Sequence, residues 1–189
     1  YQISPEIMAY GSIAKGYRPS GINYRAENDE TLTYDKEISW NYEMGLKSSL
    51  LDDRLTVNLA LFYNDVSNFQ VALPDTIGQL RDIANAEVEI LGLELEARAK
   101  PVEGLEFIAG LGLVDVEFTE FTNPFTNQSF DGNKLPFAPD LTYNLAVQYR
   151  SPSGIFGRIA LQGAGTTFFD DANTLDQDPF AIVNARLGY

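Results

Sequence analysis

Apolar and polar residues alternate with a period of two along most of this chain. That is the spacing of a strand with two unlike faces, not of a helix. From Glu37 to Ser48 one face carries Ile38, Trp40, Tyr42, Met44 and Leu46, and the other carries Glu37, Ser39, Asn41, Glu43 and Lys47. The next segment repeats the pattern. Leu55, Val57, Leu59, Leu61 and Tyr63 oppose Arg54, Thr56, Asn58 and Asn64, with Phe62 an exception in the polar set. Leu91, Leu93, Leu95, Ala97 and Ala99 then alternate with Gly92, Glu94, Glu96, Arg98 and Lys100. Upstream of Leu91 the apolar positions are Ala86, Val88 and Ile90, and this change of parity predicts a β-bulge there. Met8 to Arg18, Leu105 to Asp115, Leu141 to Arg150, Ile155 to Thr167 and Phe180 to Tyr189 read as further strands, about eight in all.

The connections sort by length. Leu50 to Asp53, Pro101 to Gly104 and Ser151 to Gly154 are tight turns of Pro, Gly, Asp and Ser. Pro19 to Lys36, Pro74 to Asp82, Glu120 to Asp140 and Asp170 to Pro179 are long, and long and short alternate. In an antiparallel meander every short turn then falls on one rim and every long loop on the other, as in outer-membrane barrels. Strands of about 10 to 13 residues reach about 33 Å or more, whereas ordinary globular strands average about 5 to 6 residues. The fold class expected is all-β, an antiparallel up-and-down transmembrane β-barrel segment.

Composition narrows the chemistry. The 189 residues include no Cys and no His, which removes thiolate chemistry, disulfides and the commonest general base and metal ligand. Thirteen basic and 27 acidic residues give a net charge of −14, the wrong sign for a nucleic-acid surface. No apolar run is long enough for a membrane-spanning helix, a test that barrel strands escape. The chain opens at Tyr1 without a basic and apolar leader, as a mature or excised segment would. The polar face holds Glu43, Lys47, Arg54, Glu94, Glu96, Arg98, Arg158 and Arg186, and the apolar face of the best strands holds no charge. A charge at the bilayer midplane costs about 2–4 kcal/mol, so the apolar face is expected to meet lipid and the charged face a lumen. Trp40, Tyr42, Tyr63 and Tyr149 lie where interfacial aromatic girdles would sit. The competing reading is a soluble acidic β-sandwich with these aromatics in its core.

Four stretches carry a resemblance: Tyr10-Gly-Ser-Ile-Ala-Lys-Gly-Tyr-Arg-Pro-Ser-Gly-Ile-Asn23, Trp40-Asn-Tyr-Glu-Met-Gly-Leu-Lys-Ser48, Asn85-Ala-Glu-Val-Glu-Ile-Leu-Gly-Leu-Glu-Leu-Glu96 and Gly132-Asn-Lys-Leu-Pro-Phe-Ala-Pro139. In this order they resemble the C-terminal half of TonB-dependent outer-membrane receptors of the iron-chelate type. Ser20 and Glu87 depart from the family's usual Gly. The resemblance spans nearly the whole chain. It implies a barrel of about 22 strands with a plugged lumen, of which residues 1–189 supply about eight. It also implies an upstream plug domain and TonB-contacting segment not in this chain, and further strands beyond Tyr189. The expected location is the outer membrane. The expected partners are outer-membrane lipid, the receptor's own plug, the TonB complex and a ferric siderophore or related chelate; the substrates rank as iron siderophore, vitamin B12, other metal chelate and oligosaccharide. The alternative is a complete eight-stranded barrel with an anchoring or adhesive role.

Individual motifs add little. Glu94 and Glu96 share a face, as a hydrolase pair would, but alternation already explains both and no enzyme is expected. Asp170, Asp171, Asp176 and Asp178 lack the spacing of a calcium loop and read as a solvated acidic loop. Gly110 and Gly112 precede no helix pattern, so no phosphate loop is expected. No cofactor or metal is called for. Most lumen charges are expected to pair with one another and hold water, not to switch partners with a plug. Flat chelate faces make the loop aromatics Tyr17, Tyr24, Phe121, Phe125 and Phe130 the candidate ligand contacts.

Overall fold

The structure, a computed structural model, describes residues 1–24, 26, 29, 31–74 and 80–189. Among them there is no helix. The strands in chain order are β1 (Gln2–Ser4), β2 (Ile7–Arg18), β3 (Gly21–Ile22), β4 (Thr33–Tyr34), β5 (Glu37–Leu50), β6 (Leu55–Pro74), β7 (Leu80–Ala99), β8 (Leu105–Glu120), β9 (Leu141–Arg150), β10 (Phe156–Ala164), β11 (Thr167–Phe168), β12 (Asp176–Gln177) and β13 (Phe180–Gly188). One sheet runs β1-β2-β5-β6-β7-β8-β9-β10-β13, each neighbouring pair antiparallel. The small ladders β3–β4 and β11–β12 lie inside long connections. The sheet does not close, since β1 and β13 occupy opposite edges.

The eight long strands are those the alternation marks, and the short β1 adds a hairpin ahead of them. Residues 5–6, 51–54, 100–104 and 151–155 turn the chain at one end. In the second of these, Leu51, Asp52 and Asp53 all hold positive φ, 56°, 56° and 62°. Residues 19–36, 121–140 and 165–179 connect strands at the other end. The long connection expected at Pro74 to Asp82 is narrower, because Pro74 pairs with Leu80. Its remainder, residues 75–79, lies outside the described residues.

Register fixes the faces. Leu46, Leu59, Leu95 and Leu111 form one cross-strand row, and Met44, Leu61, Leu93, Leu113 and Leu141 the next. Ala97, Ala109, Leu145, Leu161 and Val183 form another. No charge interrupts this face from Leu55 to Tyr63 or in the paired rows. Nine residues at about 3.3 Å are about 30 Å of strand; tilted by about 40°, they span about 23 Å, close to an apolar band of about 25 Å. Tyr42 and Tyr63 stack at its upper edge with ring centroids 6.3 Å apart, and the Lys15 ammonium lies 4.9 Å from the Trp40 ring. Phe62, the exception on the polar face, lies across Gly92, where a Cβ would come within 2.1 Å of the ring.

Above the band the two faces exchange character. The outer row through Trp40 becomes Lys15, Asp65, Glu89 and Glu117. On the polar face Val66, Val88, Val116 and Phe118 are buried with Phe121 and Phe130, which fold back from the β8–β9 connection. The ladder irregularity expected upstream of Leu91 is present at Glu87, but it does not set the parity of Val88 and Ile90. Ile90 and Leu91 pair in unbroken register with Asn64 and Tyr63. Ala86, Val88 and Ile90 are apolar because this end of the polar face has its own core. The irregularities lie farther along, where Ser67 and Asn68 stand between the Val66–Val88 and Phe69–Ala86 pairs, and between Glu87 and Val88 on the β8 side.

Leu59→Lys should cost the embedded protein about 2–4 kcal/mol, and Asn58→Lys on the polar face much less. The temperature at which the folded band disappears in unboiled detergent gels reads both; equal losses would contradict the assignment of faces.

Candidate functional site

The polar face and the long-connection end are the two surfaces able to bind. Strand parity places seven of the eight predicted charges on the first, Glu43, Lys47, Glu94, Glu96, Arg98, Arg158 and Arg186, and Arg54, in the turn before β6, lines the same recess as Arg158 and Arg186. Several are tied to their own wall. The Tyr10 hydroxyl donates to Glu43 Oε1 at 2.6 Å, and the Lys47 ammonium lies 5.4 Å from the Tyr10 ring. Arg98 Nε donates to Glu106 Oε1, and Gln148 Nε2 to Glu106 Oε2. Arg158 Nη1 then donates to Gln148 Oε1 at 2.9 Å. Glu106, only 7% exposed, is the centre of this network and was not singled out in the sequence. Its parity with Gln148 and Arg158 is the signal that would have found it.

At the other end, two long connections interlock. Lys134 N donates to Asn173 Oδ1 at 2.7 Å, and Asn173 Nδ2 returns to the Lys134 carbonyl at 2.8 Å. Asn133 Nδ2 donates to the Asp171 carbonyl, and Phe137 N to that of Phe168, each at 2.8 Å. The Lys134 ammonium reaches Asp115 and Glu117, joining the connection to β8. The β2–β5 connection is held to β6 and β7. Gln70 Nε2 donates to the Pro19 carbonyl at 2.8 Å, and Asn23 brackets the Ile83 backbone, Nδ2 to O and N to Oδ1, both at 2.9 Å.

The five aromatic ligand candidates separate. Tyr24 is 97% exposed, Tyr17 is exposed on the outer face, and Phe125 is exposed in the β8–β9 connection. Phe121 and Phe130 are 1% and 7% exposed, and the Phe121 ring centroid lies 4.8 Å from that of Phe118 and 5.5 Å from that of Phe130. Their position in the core corrects the expectation that all five present rings to a ligand. Connections were expected to present their aromatics, but this one folds back and buries Phe121 and Phe130 while Phe125 stays exposed. Sequence reasoning missed Phe137 and Phe169, whose rings meet at 5.6 Å at the interlock. Phe137 is 72% exposed with φ of 63°. The Pro-Phe-Ala-Pro setting of Phe137 was its available signal.

Asp170 organises its loop. Its Oδ1 accepts from the amides of Thr174 and Leu175 at 2.9 and 2.8 Å, and Oδ2 from the Thr174 hydroxyl at 2.6 Å. Burial pushes its carboxyl up, but these bonds outweigh it and hold it below the usual range. Burial, and then the Asp170 charge, push Asp171 the other way. Among the described residues no group of three or more carboxylates is placed to hold a metal.

A family model for the TonB-dependent receptor-like β-barrel matches residues 1–189. The chain is 27% identical over 197 aligned residues to the pesticin receptor of Yersinia enterocolitica, covering all of this chain and 28% of that protein. It is 29% identical over 123 residues to the metal-pseudopaline receptor CntO of Pseudomonas aeruginosa, covering 65% of this chain and 16% of that one. The solved structure of the ferric yersiniabactin uptake receptor FyuA from Yersinia pestis superposes with a TM-score of 0.79 at 27% identity, over 100% of this chain and 28% of that one. The ferric citrate transporter FecA shares the fold, with a TM-score of 0.77 at 21% identity, over 99% of this chain and 29% of that one. The chain thus spans about 28% of the length of the pesticin receptor and FyuA.

Two outcomes are expected at the interlock. Asn173→Ala strands two backbone groups of Lys134, a loss of about 1–3 kcal/mol, and should sharply raise proteolysis of residues 121–140 and 165–179. Lys134→Ala removes partly exposed ion pairs worth about 0–1 kcal/mol and should raise it only a few-fold; the reverse order would contradict the assignment. On acidification Asp171, its carboxyl raised, protonates first and removes a half-buried charge. The depressed Asp170 adds stability that is complete above about 3.9 and lost as pH falls through its folded value. Residues 165–179 should therefore stay protease-resistant in mild acid and open only below that range; opening already at mild acidity would contradict this.

Proposed function

Since this chain belongs to the TonB-dependent receptor-like β-barrel family, we propose that it forms part of the barrel wall of a receptor that takes up ferric siderophores or related metal chelates by TonB-dependent transport. The family consists of outer-membrane receptors and transporters, not enzymes. The observation that carries the reading is the charge-free apolar band, with long connections at one end and tight turns at the other. Short periplasmic turns and long extracellular loops give barrels this polarity. The band meets lipid, the polar face lines the lumen, and the interlocked connections stand outside the cell, where a chelate arrives.

Chelates are favoured over vitamin B12 and oligosaccharides because FyuA is a ferric yersiniabactin receptor and CntO a metal-pseudopaline receptor. The plug and the segment that contacts TonB belong to the rest of the receptor. The open edges of the sheet support a wall segment over a complete eight-stranded barrel, whose first and last strands would pair. Phe137, Phe125 and Tyr24 are the exposed aromatics of the long-connection end through which a flat chelate would be held.

Deleting the full receptor gene should abolish uptake of at least one ⁵⁵Fe-labelled chelate under iron limitation. Plasmid-borne receptor should restore it, and an uncoupler of the proton-motive force should abolish it again. Unchanged uptake of every ferric chelate tested, with a loss of vitamin B12 or oligosaccharide uptake, would contradict the substrate class. Uptake indifferent to the uncoupler would contradict active transport.

A further inference from the structure

A glycine in a strand leaves a gap unless a neighbouring side chain fills it. Tyr10 covers Gly45, Phe62 covers Gly92 and Tyr143 covers Gly163, with ring atoms 2.5, 2.1 and 2.5 Å from where a Cβ would stand. At Gly11 the nearest atom is the Glu43 carbonyl oxygen, at 3.7 Å. Gly11 pairs with Met44 and so lies on the apolar face, in the row of Leu61 and Leu93. It floors a recess of about 620 Å³ lined by Ile13, Tyr42, Met44, Leu61, Tyr63 and Leu91. Ile13, Met44 and Leu91 are 69%, 63% and 62% exposed there, so nothing in the chain covers it. The recess lies in the half of the band nearer the long connections, at and below the Tyr42–Tyr63 stack.

Two rows above Gly11, on the same face of β2, stands Lys15, about 13 Å farther along the strand. Its ammonium lies over the Trp40 ring, and among the described residues it forms no ion pair. The row then turns acidic at Asp65, Glu89 and Glu117, which confines any anion to its β2–β5 end. An apolar recess with a cation at headgroup height matches an acyl chain that hangs from a phosphate-bearing head. A free phosphate would leave the recess unused, and a purely apolar partner would leave the cation unused. We propose that Gly11, Ile13, Met44, Leu61 and Leu91 seat one acyl chain of the phosphorylated glycolipid that forms the outer leaflet, with its phosphate held by Lys15. The leaflet follows from the position of the recess at the long-connection end. The inference rests on the reading of the apolar face as the lipid-facing one. It goes beyond that reading in assigning one retained lipid to a fixed place, while the rest of the band meets exchanging chains.

Native mass spectrometry of the full-length receptor, extracted from outer membranes in mild detergent, tests this. The unaltered receptor should carry one tightly held glycolipid. Lys15→Gln removes one charge-assisted contact and should weaken retention about ten-fold. Gly11→Leu fills the recess from its floor and should weaken it at least as much. The shift between boiled and unboiled gel samples shows that each variant is folded, and Lys15→Gln decides alone if Gly11→Leu is not. No retained glycolipid, unchanged retention in either folded variant, phospholipid alone, or a second protein chain in place of lipid would overturn the seat and leave the lipid-facing assignment standing. A receptor recovered in the soluble fraction without detergent would overturn both.

Discussion

A strand in hydrocarbon has no water to satisfy its amides, so each N–H and C=O must find a partner in a neighbouring strand. The long antiparallel ladder from β2 to β13 answers that requirement, and the rest of the structure depends on it. Once pairing is continuous, residue parity alone decides which face a side chain occupies. A one-residue slip in β6 would turn Leu55, Leu59 and Leu61 to the polar side and bring Asn58 and Asn64 to the lipid. The tight turns set that register at one end, and the long connections are free to build a binding surface at the other.

Parity stays constant along each strand while the environment does not. The row through Tyr42 and Tyr63 is apolar as far as Leu91 and meets a first charge at Asp115 on β8, and the next carries Lys15, Asp65, Glu89 and Glu117. At the same height the inner side gains Val66, Val88 and Phe118. Outside the bilayer, water is cheap for the outer face, and the returning connection gives the inner face something to bury. β6 and β7, 20 residues each, are long because they serve both environments.

This explains what the amino-acid pattern reveals and what it hides. Glu37 to Tyr63 was legible because one face meets one solvent over a full crossing. The tight turns were legible because Pro, Gly and Asp mark them locally. The stretch from Ala86 to Ile90 misled because apolar residues there lie opposite Leu91 and Leu93 in a second core, which a period-two pattern cannot distinguish from a bulge. β1 was missed because three residues are too few to show alternation. Phe121 and Phe130 have the composition of a binding loop, and only their place in one core with Val66 and Val88 reveals their burial. The Arg98–Glu106–Gln148–Arg158 network spans four strands, so no local window contains it.

The central claim is that one face of this ladder meets lipid and the other does not. The chain contains no Cys, so single cysteines can be placed at Leu59, Leu61, Leu93 and Leu95 and at the alternating positions Asn58, Ala60, Glu94 and Glu96 in the full receptor. Nitroxide labels on membranes should show oxygen accessibility highest at the four leucine sites and a water-soluble relaxant favoured at the other four, alternating residue by residue. Labels equally accessible to the water-soluble relaxant at both sets would contradict the account.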